Sequence, residues 1–424
     1  MLEPQSTVLF VALVAAFGVL AWRLMVARRL VLRIGAACLA FLVAMAFGVM
    51  AVNRYFDYYQ TWGAALADFG NAGPNGGLAV SDRTLVDAGG SAAASLEPGL
   101  QPSQVYLGLA ERQGYTLRLR VTGPRSHLSR LVYVYLPPQY FQPQFKSYRF
   151  PVIELIHGQP GEPQDWINVV GVQVTLDALV RRGMARPAVL VMPDANGGNQ
   201  ISLQCLNQAR GPQDLTYLAQ DVPSQVTRLL RVQPPGIGWG VAGYSEGGFC
   251  AANMALRFPH TYGFAASMSG YFLPMQNQLA NPSRLVSPFG GNRTQQAKNT
   301  PVNEVRSLPA GSMIPQFWIG AGKAARADVS AAEYFWQLLQ LHEANVPLVL
   351  TPGSGHTMTT WRAEVPPMLS WMTIGMAQAL AAAAQHHQQH GAAAHAPAAH
   401  NAAARPHAAS HPPGSSPAPG SGTR

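Results

Sequence analysis

The chain opens on two long apolar runs, residues 7–22, resumed at 24–27 beyond Arg23, and residues 34–52. Each approaches the roughly 20 apolar residues that a membrane-spanning helix needs. From residue 105 to 377 the pattern changes scale. Short, near-continuous apolar runs alternate there with amphipathic stretches of helical length. The runs at 131–136, 151–156, 188–192, 238–242, 316–320 and 347–351 read as strands buried on both faces, as in parallel sheets. Helices are predicted at 171–182, 215–230, 247–258 and 330–343. This alternation argues for a wound α/β domain: a mostly parallel sheet with helices on both faces. The segments 115–121 and 131–136 read as an antiparallel edge.

Composition places the boundaries. Only 12% of the 424 residues are charged, about half the usual share of roughly 25%, while 48% are hydrophobic. A mainly disordered chain would be poorer in apolar residues. Three cysteines are too few for a disulfide-dense miniprotein. Residues 1–55 read as a two-helix transmembrane anchor and 56–104 as a Gly/Ala/Pro-rich linker. Residues 105–377 form one folded domain, and 378–424 read as a disordered Ala/His/Pro-rich tail. A signal peptide is the alternative for the first run, but the positive n-region and small-residue cleavage site are missing.

The net charge is +9, from 29 Lys and Arg against 20 Asp and Glu. Arg23, Arg28, Arg29 and Arg33 lie in or beside the connection between the apolar runs. The positive-inside rule puts that connection in the cytoplasm and everything after Asn53 outside, at the cell membrane. The other basic residues are scattered without interleaved aromatics, so no nucleic-acid partner is expected. The tail carries His386, His387, His390, His395, His400, His407 and His411. No cysteine or carboxylate accompanies them, so no structured metal site is expected.

The predicted strand 238–242 runs straight into Gly243-Tyr244-Ser245-Glu246-Gly247, followed by a small-residue helix. G-x-S-x-G alone is weak. Between a strand and a helix it is the nucleophile elbow, whose tight turn projects the serine hydroxyl above the sheet at a helix N-terminus. The base should then follow the serine. His260 ends the elbow helix and is too close in sequence, and His342 falls inside a predicted helix at the surface. His356 lies in the loop after the last strand, where the base belongs. The acid should follow the strand 316–320. Asp328 is the only carboxylate of that loop, Glu333 is one helical turn further on, and a missing acid stays open. Glu246 is expected to give one backbone N–H donor of an oxyanion hole; because Pro160 has none, the second falls to Gln159 or Gly158, with Gln159 preferred.

Leu155-Ile-His-Gly158, Val191-Met-Pro-Asp194, Gly243-Tyr-Ser-Glu-Gly-Gly248 and Gly355-His356 with Trp361-Arg362 resemble the putative esterase family of α/β-hydrolases. That family includes esterase D, enterochelin esterase and the mycolyltransferases of mycobacteria. A membrane-anchored N-terminus looks like the exported actinobacterial members. The resemblance implies an α/β-hydrolase fold, a Ser–acid–His triad and no metal or organic cofactor. It carries onto Ser245, His356 and the amides of Gln159 and Glu246. The acid loop departs from the family pattern, since Gly322 is followed by Lys-Ala-Ala-Arg and Asp328 comes late. Outside the cytoplasm Cys205 and Cys250 are expected to form a disulfide; the alternative is two independent buried thiols.

Two functions follow as expectations. The first is a membrane-tethered extracytoplasmic serine esterase or acyltransferase acting on an ester or lipid substrate through Ser245, His356 and Asp328. The second is a catalytically degenerate hydrolase fold kept as a binding or scaffold protein of the cell envelope. Trp166, Phe249, Tyr271 and Phe272 are either an acyl pocket or plain core.

Overall fold

The computed structural model describes residues 3–69, 86–87, 110–198, 202–274, 288–309, 312, 314–342 and 345–394. Most of the 70–109 segment and the tail beyond 394, with its last four histidines, lie outside them. The short apolar runs become strands of one nine-stranded sheet: β1 Val86–Asp87, β2 Tyr115–Thr122, β3 Ser129–Leu136, β4 Val152–Ile156, β5 Val189–Pro193, β6 Gly236–Tyr244, β7 Tyr262–Met268, β8 Gln316–Gly322 and β9 Leu348–Thr351. Their order across the sheet is β1-β2-β3-β5-β4-β6-β7-β8-β9. β3 runs antiparallel to β2 and β5, and the remaining pairs are parallel. Every residue of β4 and β5 is buried, as their near-continuous apolar sequences predict, and Glu154 in the middle of β4 is buried with them.

Two strands escaped the pattern: the two-residue β1, which falls within the expected linker, and β7. β7 reads Tyr-Gly-Phe-Ala-Ala-Ser-Met, without a β-branched residue, and its small residues resemble a loop. It forms because it lies between β6 and β8, paired along both. The helix expected at 215–230 is also broken. A π turn at Tyr217–Asp221 separates Asp214–Thr216 from Val222–Leu229. Pro223 has no N–H for the carbonyl four residues back, so regular α bonding cannot run through it.

Helices cover both faces. Val172–Arg181 and Met358–Ala394 bound an aromatic and methionine-rich layer holding Trp166, Tyr244, Trp318 and Met372. Glu246–Arg257 and Arg326–Gln340 belong to the opposite layer, with Phe249, Phe317 and Phe335. The expected disordered tail needs correction. Residues 378–394 continue the last helix, because alanine has the highest helix propensity and that stretch is alanine-rich. The chain divides after Ala381 into two compact units, and the second is described only as these helical turns.

At the N-terminus α1 Thr7–Val26 and α2 Leu30–Phe56 are both long and apolar enough to cross a membrane. They pack antiparallel, with the rings of Phe10 and Phe47 4.4 Å apart. The expected linker also needs correction. Its first residues turn out of α2 at Asp57, in the left-handed region at φ 53°, and continue into α3 Trp62–Phe69. Arg362 holds this turn against the α/β domain. Its Nη1 donates to Asp57 O at 3.1 Å, its Nη2 to Tyr58 O at 2.5 Å and its Nε to Val169 O at 2.8 Å. Asn53 seals the same turn by exchanging two hydrogen bonds with the backbone of Tyr59, at 2.7 and 3.0 Å.

A Cys205–Cys250 disulfide ties the 202–206 loop to the elbow helix across 45 residues of sequence. Closing a loop of that length restricts the unfolded chain by about 4 kcal/mol on the chain-entropy account. Replacing both cysteines by serine is therefore expected to lower stability by roughly 2–4 kcal/mol. The measurement is the unfolding free energy from denaturant titration with the slope fitted for each form, since the unlinked unfolded chain is less compact; an unchanged free energy would count against the tie.

Candidate active site

The site assembles at the carboxyl ends of four strands, the edge where ligands bind in open α/β sheets. Ile156 pairs with Gly243, so the loop after β4 emerges beside the turn after β6. Gly322 pairs with Thr351, so the chains leaving β8 and β9 emerge together. Ser245 sits in the β6 turn at φ 55° and ψ −121°, outside the regions open to L-residues. The flanking glycines make that turn possible. A Cβ on Gly243 would lie 2.2 Å from Gly247 O, and one on Gly247 would lie 2.1 Å from Ile156 O. The next residue, Glu246, opens the helix, where the first N–H groups have no acceptor within it and the dipole favours negative charge.

His356 comes from the loop after β9. Its Nε2 is 2.9 Å from Ser245 Oγ, and its Nδ1 is 2.6 Å from Asp328 Oδ2. The Trp361 ring stands edge-on to the imidazole at 5.1 Å and stacks on Tyr244 at 4.5 Å, which fixes the plane of the histidine. Of the carboxylates open at the acid position, Asp328 is the one brought to His356. Glu333 is exposed, five residues further along the same helix. The helix begins at Arg326, not near 330, so Asp328 stands in its first turn instead of in a loop. That is a favourable place for a carboxylate. His260 is exposed in the turn before β7. His342 lies past the end of its helix, with Nε2 3.0 Å from Val305 O.

The loop after β4 passes over the serine. A Cβ on Gly158 would meet the Tyr244 ring at 2.8 Å and Ser245 Cβ at 3.3 Å. Two contacts hold this loop. His157 Nε2 accepts from Ala195 N–H at 3.1 Å, and Asn196 Nδ2 donates to Gln159 Oε1. With Nε2 accepting, the proton belongs on Nδ1, which donates to Gly158 O at 2.8 Å. Burial holds the His157 imidazole below its ordinary pKa, in keeping with that neutral form. The Gln159 and Glu246 backbones are thus carried to the serine by β4 and β6. The Glu246 side chain turns inward. It accepts from Gln204 N–H at 3.0 Å and from Ser202 Oγ, and burial pushes its carboxyl up to about 7.

A cavity of about 460 Å³ opens on Ser245 and His356. Trp166, Phe249, Tyr271 and Phe272 are not among its lining residues. They are core: Phe249 stacks on Tyr271 at 5.0 Å and Phe272 on Phe335 at 4.0 Å. Met358 and Trp361 line it instead, together with residues of α2 and the turn after it. No local sequence signal marks that second group, because it reaches the site across about 300 residues of chain.

Residues 127–372, more than half of the chain, match the family model described as Putative esterase. The chain belongs to the Putative esterase family. That puts the matched region among carboxylic ester hydrolases. An uncharacterised protein of Corynebacterium glutamicum is 25% identical over 248 residues, which cover 58% of this chain and 57% of the relative. The chain thus spans little more than half the length of the curated relative it matches. A solved ferulic acid esterase has a TM-score of 0.54 at 19% identity, over 62% of this chain and 98% of its own. A fluorophosphonate-binding serine hydrolase of Staphylococcus aureus, solved with substrate bound, gives 0.51 at 17%, over 61% and 98%. At these identities the likeness is one of fold, and it is the α/β-hydrolase fold.

In this esterase-family domain a second carboxyl group is buried near Asp328. Glu364 accepts from Thr351 Oγ1 at 3.0 Å. Burial, with the charge of Asp328 adding to it, pushes its carboxyl from 4.5 to about 8. The folded protein therefore keeps a proton that the unfolded chain releases near 4.5. Stability drains away as pH rises from about 5 to 8 and levels off beyond. Glu364→Gln removes this loss. Its melting temperature relative to wild type is expected to climb over that interval, and a pH-independent difference would contradict the assignment.

Proposed function

We propose that the protein is a membrane-tethered serine esterase or acyltransferase that works outside the cytoplasm through an acyl-enzyme. The observation that carries this reading is the continuous hydrogen-bonded line from Asp328 through His356 to Ser245. Ser245 Oγ attacks the ester carbonyl while His356 Nε2 takes its proton. Asp328 keeps the imidazole tautomer and stabilises the imidazolium. The oxyanion draws on the N–H groups of Gln159 and Glu246 and on the helix dipole. Collapse breaks the bond to the leaving alcohol, which takes the proton from His356. Water or an acceptor hydroxyl then attacks the acyl-enzyme by the same route in reverse and frees Ser245. The scaffold alternative rests on a missing acid, and the Asp328–His356 contact supports the enzyme reading over it.

The membrane side of the reading rests on α1 and α2, whose apolar surfaces are turned outward. Arg23, Arg28, Arg29 and Arg33 at their connection orient the pair with the α/β domain outside.

A fluorophosphonate probe tests the chemistry. It should label wild type and not Ser245→Ala; failure to label well-folded wild type removes the enzyme reading. Asp328→Asn should lower kcat/KM roughly a hundred- to ten-thousandfold. Glu333→Gln should change it less than about twofold, since exposed substitutions away from the site are usually near neutral. Equal losses in both would reject Asp328 as the acid. For topology, a reporter that works only outside the cytoplasm should be active when fused after residue 60. Inactivity there would reverse the orientation.

A further inference from the structure

The cavity at Ser245 is not closed by the esterase domain alone. One wall comes from the outer end of α2 and the turn that follows it. Val49, Met50, Val52 and Phe56 line it from the helix, and Tyr59 and Trp62 from beyond. Its volume, about 460 Å³, lies in the range of sites that enclose small organic ligands. Two of these residues face both ways. Val49 and Val52 line the cavity and are still 64% and 60% exposed. On an apolar helix of membrane-spanning length, that exposed surface belongs to lipid. The cavity therefore opens sideways, onto the surface that α2 presents to the bilayer. Val49 is seven residues below Phe56, about 10 Å along the axis, so the apolar wall descends well below the turn.

The side chains at this height mark the membrane surface. Arg54 Nη1 donates to Gln5 O and to Thr7 Oγ1, both at 3.2 Å, where α1 begins. Tyr55, Tyr58, Tyr59 and Trp62 follow within eight residues. An arginine and a group of tyrosines and tryptophan at the end of an apolar helix belong at the boundary of hydrocarbon and water. The wall is also fixed in place. Arg362 and Asn53 pin the turn, and Trp62 N–H donates to Glu3 Oε2 at 3.0 Å.

We infer that the outer end of α2 is part of the substrate site, and that the substrate is a long-chain ester lipid of the bilayer. Its acyl chain enters laterally, lies along Val49, Val52 and Phe56, and presents the ester carbonyl to Ser245. The inference rests on the acyl-enzyme reading above. A short water-soluble ester has no use for an apolar wall at lipid depth. A long acyl chain keeps apolar surroundings as it passes from the bilayer onto that wall, and one drawn from water gains about fourfold for each methylene it buries there.

The test uses the full chain in phosphatidylcholine–phosphatidylglycerol vesicles and a hexadecyl fluorophosphonate with a diazirine near the chain end. Ser245 Oγ bonds to phosphorus, fluoride leaves and His356 takes the proton. Light then expels nitrogen, and the carbene inserts into whatever touches the chain. Cross-links within residues 49–56 are expected. Phosphonylation of Ser245 with cross-links only in residues 110–377 overturns the lateral site and leaves the enzyme reading intact. No phosphonylation overturns the enzyme reading, and the inference with it. A second measurement is independent of the probe. Val49→Trp fills the wall from its exposed side and is expected to cut the ratio of kcat/KM for dodecanoyl over butanoyl esters at least about tenfold, the worth of two buried methylenes. An unchanged ratio overturns the proposal.

Discussion

The closeness of two backbone segments at the end of β6 governs the rest of the site. Gly243 and Gly247 face each other and the end of β4 with no space for a side chain, and Ser245 between them is driven to a φ of 55°. Such a conformation costs on the order of 1–3 kcal/mol and persists only where its surroundings over-determine it. Here they do. Ser245 N–H donates to Met268 O at the end of β7, and Ser245 O takes up Gly248 N–H in the new helix. The hydroxyl is thereby aimed before any ligand arrives. The other site groups need only be delivered to it, from strands whose ends the sheet register has already brought level.

What could be read from the sequence divides along the same line. Ser245 and His356 stand at strand ends, and strands with unbroken apolar runs announce themselves by local pattern. Asp328 was legible only by elimination, and its helix was expected to start late because Ala324-Ala325-Arg326 carries no capping residue. β7 was hidden because pairing on both sides, and not its own residues, makes it a strand. The helical 378–394 stretch was hidden by treating alanine as filler when it is the strongest helix former in the chain. The turn after α2 was hidden most deeply. Arg362 contacts Asp57 and Tyr58 across 305 and 304 residues, a distance at which no periodicity carries information.

Buried carboxyl groups form a second theme. Glu154 in β4, Glu246 at the elbow and Glu364 behind Asp328 are all pushed upward by burial, to about 8, 7 and 8. Each has a hydrogen-bond partner: the Tyr262 hydroxyl for Glu154, Gln204 and Ser202 for Glu246, Thr351 for Glu364. Neutral acids of this kind can brace loops without leaving an unpaired negative charge buried in the packing. In contrast, the Asp328 side chain retains 16% of its exposure and His356 37%.

The grip of Arg362 has one more implication. All three of its bonds end on main-chain oxygens, at Asp57, Tyr58 and Val169. A guanidinium that holds only carbonyl groups reads the path of a chain and is blind to its side chains. The N-terminal helix pair can then drift in sequence, or be exchanged for another, and still be seated on the same domain. What must be kept is the bend at residue 57, where a left-handed backbone favours glycine, asparagine or the aspartate found here. One half-buried arginine and one permissive bend would make the helix pair a replaceable part whose docking geometry is inherited from the esterase-family domain and not from the pair itself.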